Sequence, residues 1–287
     1  MKTPPFTAQQ HCLLQLSVGV WKRRKAAKRT GLHYNEETVT EGLLLDLQVN
    51  FPGEILIVPF TKTREAQMGA DWAWAFIGPD GQSNQGMLVQ AKRLDDSDRN
   101  YKSLYKKNRS KGGLPSIHQI DRLINSAKRY RLPPVYAFYN HVDDESRIPD
   151  SACGSLNGPV PESWGVSFAS AFKVRRAKPD KTFDCHRLHS RPLHCLLCSH
   201  GTGERDPQGS PTMAARTLSQ LFRGIDEDGD ELDLTTLFTP GTELPRLFRE
   251  AERVYRSGHM GDREVIAELR TEFPDLAGVV LFRDNED

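Results

Sequence analysis

The chain has 287 residues, 37% hydrophobic and 27% charged, so it can bury a core and does not have the composition of a disordered protein. No run approaches the roughly 20 apolar residues of a membrane helix. The apolar segment near the start leads into a basic cluster instead of a small-residue cleavage site. We therefore expect a cytoplasmic protein with no secretion signal and no membrane partner.

The net charge of +1 conceals an uneven distribution. Residues 1–132 carry 21 Lys and Arg against 12 Asp and Glu, a net charge of +9, whereas the remainder carries 18 against 26, a net charge of −8. Solvated helices alone can produce such an imbalance. It also fits a protein of which one part binds an anionic polymer such as nucleic acid.

Hydrophobic periodicity predicts alternating helices and strands along the first half of the chain. A helix over 6–30 has a basic second half, and a second helix starts after the N-cap Asn35, with Val39, Leu43 and Leu47 at helical spacing. The elements that follow are a strand over 55–60, a hairpin of strands over 69–76 and 87–94, a helix over 117–130 and a strand over 135–139. This order predicts an α/β layer with helices packed on a central sheet.

The second half of the chain has weaker patterns. A polar loop precedes a strand or short helix over 164–174, and a Cys/His-rich segment covers 183–203. Helices are expected near 212–223, 246–256 and 262–272, followed by a last strand over 277–282. The predicted division is a basic N-terminal helix (1–34), an α/β core (35–182), the Cys/His insertion (183–203) and a mostly helical extension (204–287).

Three polar residues of the predicted hairpin are the main candidates for a functional site. Gln90 and Lys92 must share a face because side chains alternate along a strand, and the simplest hairpin register adds Asp71 to that face. Polar side chains inside an otherwise apolar strand need a reason. A carboxylate from the preceding helix could complete the site, and Glu41 is preferred there over Glu37.

This residue set suits phosphodiester hydrolysis. Mg²⁺ prefers oxygen ligands and retains several waters, so Asp71 with the neutral oxygen of Gln90 can suffice to bind it. Lys92 would orient the attacking water and offset negative charge that develops in the transition state.

The order of an acidic helix, Gly-x-Asp, apolar-Gln-x-Lys and a Gln-bearing helix resembles the PD-(D/E)XK superfamily of restriction-endonuclease-like nucleases over about residues 35–140. The resemblance implies a mixed central sheet flanked by helices and DNA cleavage with Mg²⁺ or Mn²⁺. It implies active-site roles for Asp71, Gln90 and Lys92, with Gln119 as an additional site glutamine. Restriction or phage defence and a homodimer would be typical of such a protein. Two positions depart from the usual pattern: Ala70 replaces a Pro, and Gln90 replaces a Glu.

Several basic residues are candidates for contacts with the DNA backbone. They lie in the first helix and in the segment after the hairpin: Lys22, Arg23, Arg24, Lys102, Lys106, Lys107 and Arg109. Tyr101 and Tyr105 lie among them and could add stacking, although a solvated loop fits equally well. Trp72 and Trp74 should face away from Asp71 and pack in the core.

The Cys/His segment contains a Cys-x-x-Cys pair, the spacing of a zinc knuckle. Cys185, Cys195, Cys198 and His200 are the expected Zn²⁺ ligands of a closed structural site. A buried cysteine pair with surface histidines is the alternative. Two further functions stay open: a catalytically inactive nucleic-acid-binding module with structural zinc, and an HNH-type nuclease centred on residues 185–200.

Overall fold

A computed structural model describes most of the chain. The described residues are 7–60, 69–78, 84–95, 100–107, 117–149, 156, 160–198, 212–223, 245–256, 263–273 and 276–283. The predicted turn around Gly78 to Gly81 and the candidate residues Arg109 and His200 lie wholly or partly outside them.

A seven-stranded mixed sheet forms the centre of the described part. Its strands are β1 (Ile55–Pro59), β2 (Trp72–Ile77), β3 (Asn84–Arg93), β4 (Pro134–Tyr139), β5 (Val166–Ser170), β6 (Ser190–Pro192) and β7 (Gly278–Arg283). They lie in the order β1-β7-β2-β3-β4-β5-β6. The neighbours β2 and β7, and likewise β3 and β4, run parallel, whereas the other neighbours are antiparallel. The sheet is open, with β1 and β6 at its edges.

Eight α-helices accompany this sheet in the described ranges. They are α1 (Ala8–Thr30), α2 (Glu36–Asn50), α3 (Gln119–Tyr130), α4 (Ala171–Arg176), α5 (Phe183–Arg187), α6 (Thr212–Leu221), α7 (Arg246–Arg256) and α8 (Arg263–Glu272). The predicted α/β class is confirmed. None of these helices combines the length and apolar character needed to cross a bilayer.

The C-terminal strand β7 lies inside the sheet. It pairs with β1 on one side and with β2 on the other, although about 200 residues separate it from both. A side chain at Gly278 would come within 2.4 Å of the Val58 carbonyl oxygen and 2.5 Å of the Trp72 ring, so only glycine fits this approach. The segment predicted as an extension therefore contributes a strand to the core.

The N-terminal helix α1 is likewise part of the core. Leu13, Val20 and Trp21 are at most 4% exposed. A side chain at Gly165 would overlap the Ser17 carbonyl of this helix, so the two backbones are in direct contact. The basic residues of α1 therefore belong to a helix with one buried face, not to a free arm.

Candidate active site and Cys/His cluster

The register of the β2–β3 hairpin brings Asp71 opposite Gln90. Trp72 pairs with Val89, and the amide of Asp71 continues the ladder by donating to the Val89 carbonyl at 2.8 Å. Asp71 Oδ2 accepts hydrogen bonds from Gln90 Nε2 at 2.5 Å and from the Ala91 amide at 2.9 Å. The carboxylate and the carboxamide therefore lie on one face of the sheet.

Gly69 brings helix α3 to the same place. Its φ of 76° is in the left-handed region, and a Cβ there would lie 2.5 Å from the Gln119 carbonyl oxygen and 2.6 Å from the Leu123 amide nitrogen. This close approach lets Gln119 Nε2 donate to Gln90 Oε1 at 2.7 Å. Asp71, Gln90 and Gln119 thus form a continuous hydrogen-bonded row.

Lys92 is held by the start of helix α2. Its Nζ lies 3.3 Å from Glu36 Oε1, and Glu36 Oε2 accepts from the Arg93 amide at 3.0 Å. The Lys92 side chain is 4% exposed, whereas that of Glu36 is 30% exposed. An ammonium group at this depth needs a fixed anionic partner, and Glu36 provides it.

Opposing effects act on the pKa of the Glu36 carboxyl group. Burial raises the pKa of its carboxyl most, the Lys92 charge lowers it, and the nearby Asp71 carboxylate raises it again, so that the net direction is upward from 4.5. Shifts of this kind are common where carboxylates gather for catalysis or for cation binding.

The helix carboxylate at this site is Glu36, and neither of the two predicted residues. Glu37 and Glu41 occupy exposed positions on α2. The reason is helical periodicity: position 36 is three and seven residues before the buried Val39 and Leu43, which puts it on the inward-facing side. That spacing was a usable signal in the sequence.

Tyr136 adds a buried phenol that the sequence did not indicate. It pairs with Gln90 in the parallel β3–β4 register and therefore points to the same face. It is fully buried, and no described residue forms a hydrogen bond with its hydroxyl. Burial raises its pKa well above 10.0, and the charge of Asp71 contributes to the rise, so it is a neutral donor beside the site.

The aromatic residues near the hairpin belong to the core. Trp72 and Trp74 are 9% and 7% exposed, as expected. Tyr101 and Tyr105 are also buried: Tyr101 donates to Asn140 Oδ1, and Tyr105 donates to the Val174 carbonyl. Neither tyrosine is therefore available at the surface, either to contact nucleic acid or to form part of a solvated loop.

The predicted DNA contacts have mixed outcomes. Arg24 is 1% exposed and donates to the Leu94 carbonyl at 2.5 Å, so it cannot reach a phosphate from the surface. Lys22 and Arg23 are exposed, the latter in an ion pair with Asp46.

Among the described residues after the hairpin, Lys102, Lys106 and Lys107 are exposed, and the last two adjoin the candidate site. Lys102 pairs with Asp95. The Lys106 carbonyl accepts from the Gln119 amide, and Lys107 bridges to His118, so both backbones meet the start of α3.

A second polar cluster lies in the Cys/His segment. The ligand atoms of His194, Cys195 and Cys198 lie within 4.8 Å of one another, and all three residues are buried. The histidine of this cluster is His194, which was not among the expected ligands. The expected ligand Cys185 is not part of the cluster and lies in α5. There the pKa of its thiol is raised by burial and by the neighbouring Asp180 carboxylate.

Comparison with known proteins places the chain in a family. A family of unknown function, DUF6615, matches residues 9–287. The chain belongs to the DUF6615 family. No curated protein and no solved structure matches it. Because the DUF6615 match covers β1 to β7, the Asp71 row and the Cys/His cluster both lie within the family's region.

Proposed function

We propose that this DUF6615 protein is a Mg²⁺-dependent endonuclease that hydrolyses DNA phosphodiester bonds, a member of the PD-(D/E)XK superfamily that acts in restriction or phage defence. The observation that carries the proposal is the meeting of Asp71 and Gln90 across the hairpin, with the buried Lys92–Glu36 pair on the same strand. An ordinary hairpin has no reason to bury these groups together.

The donor set fits a hard cation. Gln90 Nε2 lies between two oxygens, Asp71 Oδ2 at 2.5 Å and the Ala91 carbonyl at 3.2 Å. A half-turn of the carboxamide exchanges its nitrogen for its oxygen, since only the hydrogen-bond network assigns them. Asp71, Gln90 and Ala91 would then offer three oxygens, the ligand type that Mg²⁺ or Mn²⁺ prefers. Such an ion would polarise the scissile phosphate and lower the pKa of its bound water.

With its carboxamide rotated in this way, Gln90 would still form a hydrogen bond with Gln119 of α3. Its nitrogen would face Gln119, whose own carboxamide can rotate to accept the hydrogen bond. Gln119 therefore positions Gln90 in either orientation. This coupling explains how a neutral glutamine can serve where a glutamate is usual in this superfamily.

Lys92 would supply the positive charge next to the reacting phosphate. Its partner Glu36 fixes the ammonium group on the strand face that also carries Gln90. The attacking water would form the new bond to phosphorus while the bond to the leaving sugar oxygen breaks. Lys92 would orient that water and stabilise the added negative charge. The exposed Lys106 and Lys107, next to Gln119, supply charge for a DNA backbone.

Plasmid cleavage tests the proposal. We expect purified protein to nick or linearise plasmid DNA with Mg²⁺ or Mn²⁺, and not with Ca²⁺ alone or after chelation. Lys92→Ala should lower the cutting rate by about 10²–10³-fold, whereas a variant of an exposed glutamate on α2, Glu41→Ala, should cut normally. Near-normal cutting by Lys92→Ala would refute the assignment.

The alternative is a DNA-binding module without catalysis. The observation in its favour is that the Gln90 amide group donates a hydrogen bond to Asp71 Oδ2. Retention of plasmid DNA in a gel-shift assay, with no cutting under any divalent metal, would support this alternative and exclude the enzyme.

A further inference from the structure

The Cys/His cluster follows the edge strand β6 in the chain and packs against helices α1 and α6. His194 and Cys195 belong to the 3₁₀ helix Leu193–Leu197, and Cys198 is its C-cap. Their exposed fractions are 0%, 0% and 2%. The intervening Leu196 and Leu197 are fully buried, so the cluster lies in an apolar shell without access to bulk water.

The spacing of the ligand atoms matches a tetrahedral zinc centre. Bond lengths of about 2.3 Å for sulfur and about 2.0–2.1 Å for nitrogen imply roughly 3.6 Å between a sulfur and a nitrogen ligand. The observed distance from Cys195 Sγ to His194 Nε2 is 3.7 Å. All three ligand atoms lie within 4.8 Å of one another, so little movement is needed to close them around one ion.

Helix α1 adds a fourth polar group at the same point. Gln10, 3% exposed, directs its Nε2 at Cys198 Sγ from 2.7 Å, across 188 residues of chain. The two atoms are closer than the roughly 3.6 Å that separates two ligands of one tetrahedral zinc, so a bound ion would move them apart by about 1 Å. A half-turn of the amide would bring its oxygen to the cluster instead.

We infer that His194, Cys195, Cys198 and the Gln10 carboxamide oxygen form a closed structural Zn²⁺ site. Zinc suits two thiolates and an imidazole, and a site with four protein ligands and no water is structural, not catalytic. The ion would connect α1 to the segment that follows β6, 188 residues later in the chain. This inference is independent of the proposed nuclease activity.

Metal analysis of the full-length protein tests the site. We expect about one zinc per chain after purification under reducing conditions, and Co²⁺ exchanged into the site should give thiolate charge-transfer and tetrahedral ligand-field bands. Protein without bound zinc and without these bands would overturn the inference. A Cys195–Cys198 disulfide found by mass spectrometry in the reduced preparation would overturn it as well.

Matched variants assign the ligands. Cys198→Ser should lose the Co²⁺ charge-transfer band, while Cys12→Ser and Cys185→Ser should keep it. If Cys198→Ser does not fold, the metal content and the Co²⁺ spectrum of the unmodified protein still decide the question. Lys92→Ala should bind zinc normally whether or not the chain is a nuclease.

Gln9, the residue before Gln10, provides the matched control for a Gln10 variant. Gln9 is also buried, but it bonds to Glu54 and to the Arg283 carbonyl, away from the cysteines. Gln10→Ala should weaken zinc binding about tenfold or more, and Gln9→Ala should not. Equal zinc affinity of Gln10→Ala and unmodified protein would refute the fourth ligand, as would metal loss in His200→Ala.

Discussion

The Asp71 row and the Cys/His cluster are both polar groups in an apolar interior, and they differ in access and in donor type. The Asp71 row reaches the surface at the half-buried Asp71 and Gln119, and its groups offer oxygen and nitrogen. The Cys/His cluster is at most 2% exposed and offers sulfur and imidazole nitrogen. A substrate needs the first arrangement, whereas a fixed soft metal needs the second. Access and donor type together separate the proposed reacting site from the proposed structural one.

The largest expected effect is on the reacting site. Lys92→Ala should lower the rate of DNA cleavage by about 10²–10³-fold, the usual loss when one group that stabilises transition-state charge is removed. Single-turnover plasmid cleavage measures this rate. Lys92→Met, which keeps the aliphatic stem, is the control for packing and should lose as much. Near-normal cutting by Lys92→Met would show that the ammonium group is not needed.

Removal of Mg²⁺ and removal of Zn²⁺ should have different effects on activity and on stability. Dialysis against Mg²⁺-free buffer should stop cleavage with little change in Tm. Extraction of zinc by a strong chelator should lower Tm by about 6–12 °C, the shift expected for a loss of about 3 kcal/mol in a domain of this size. Differential scanning fluorimetry measures both. A Tm that depends on Mg²⁺ and not on the zinc chelator would reverse the assignment.

Gln90→Glu tests why the neutral side chain is tolerated. It replaces the amide donor to Asp71 by a second carboxylate, so the free energy of unfolding should fall by about 1–3 kcal/mol without metal. Added Mg²⁺ should restore most of that stability, because the site has gained a charged ligand. Urea unfolding with and without Mg²⁺ measures the difference. Gln85→Glu, on the same strand, should show no rescue by Mg²⁺.

Glu36→Gln should change the pH dependence of both activity and stability. Because the pKa of folded Glu36 is raised from 4.5, its ionised form is disfavoured, and the free energy of unfolding falls as pH rises through the folded pKa. Glu36→Gln should remove this slope and lower cleavage about 10–100-fold, because Lys92 loses its anchor. Urea unfolding and cleavage rates across pH 4–8 check both. An unchanged pH profile would contradict the role of Glu36.

The smallest effect is expected at Gln119. Gln119→Ala removes one hydrogen bond to Gln90, worth about 1 kcal/mol, and should reduce cleavage by less than about tenfold. Its pH profile should match that of the unmodified protein, since no charge is lost. The variant Ser126→Ala, on the same helix but away from its N-terminus, should leave the rate unchanged. A loss as large as that of Lys92→Ala would mean that Gln119 takes part in the chemistry directly.

The sequence predicted local features of this molecule well, because they depend on short periodicities. Strand alternation placed Gln90 and Lys92 together, and the simplest hairpin register placed Asp71 on the same face. Glu37 and Glu41 were predicted instead of Glu36, although the spacing of Glu36 from the buried residues of α2 indicates that it faces inward.

Long-range features could not be predicted from the sequence. Nothing in the local pattern of β7 indicates that it pairs with strands about 200 residues earlier. Arg24 lies in a basic run, and only the tertiary fold shows that it is buried against the Leu94 carbonyl. The pairing of Gln10 with Cys198 likewise depends on how α1 packs.

Anomalous diffraction tests the central claim most directly. Crystals are soaked in Mn²⁺, and data are collected at the manganese and zinc absorption edges. The account predicts a manganese peak bounded by Asp71 Oδ2, the Ala91 carbonyl and a turned Gln90 side chain, and a separate zinc peak at Cys195 and Cys198. A map without manganese at Asp71, with the Gln90 amide still donating to that carboxylate, would contradict it.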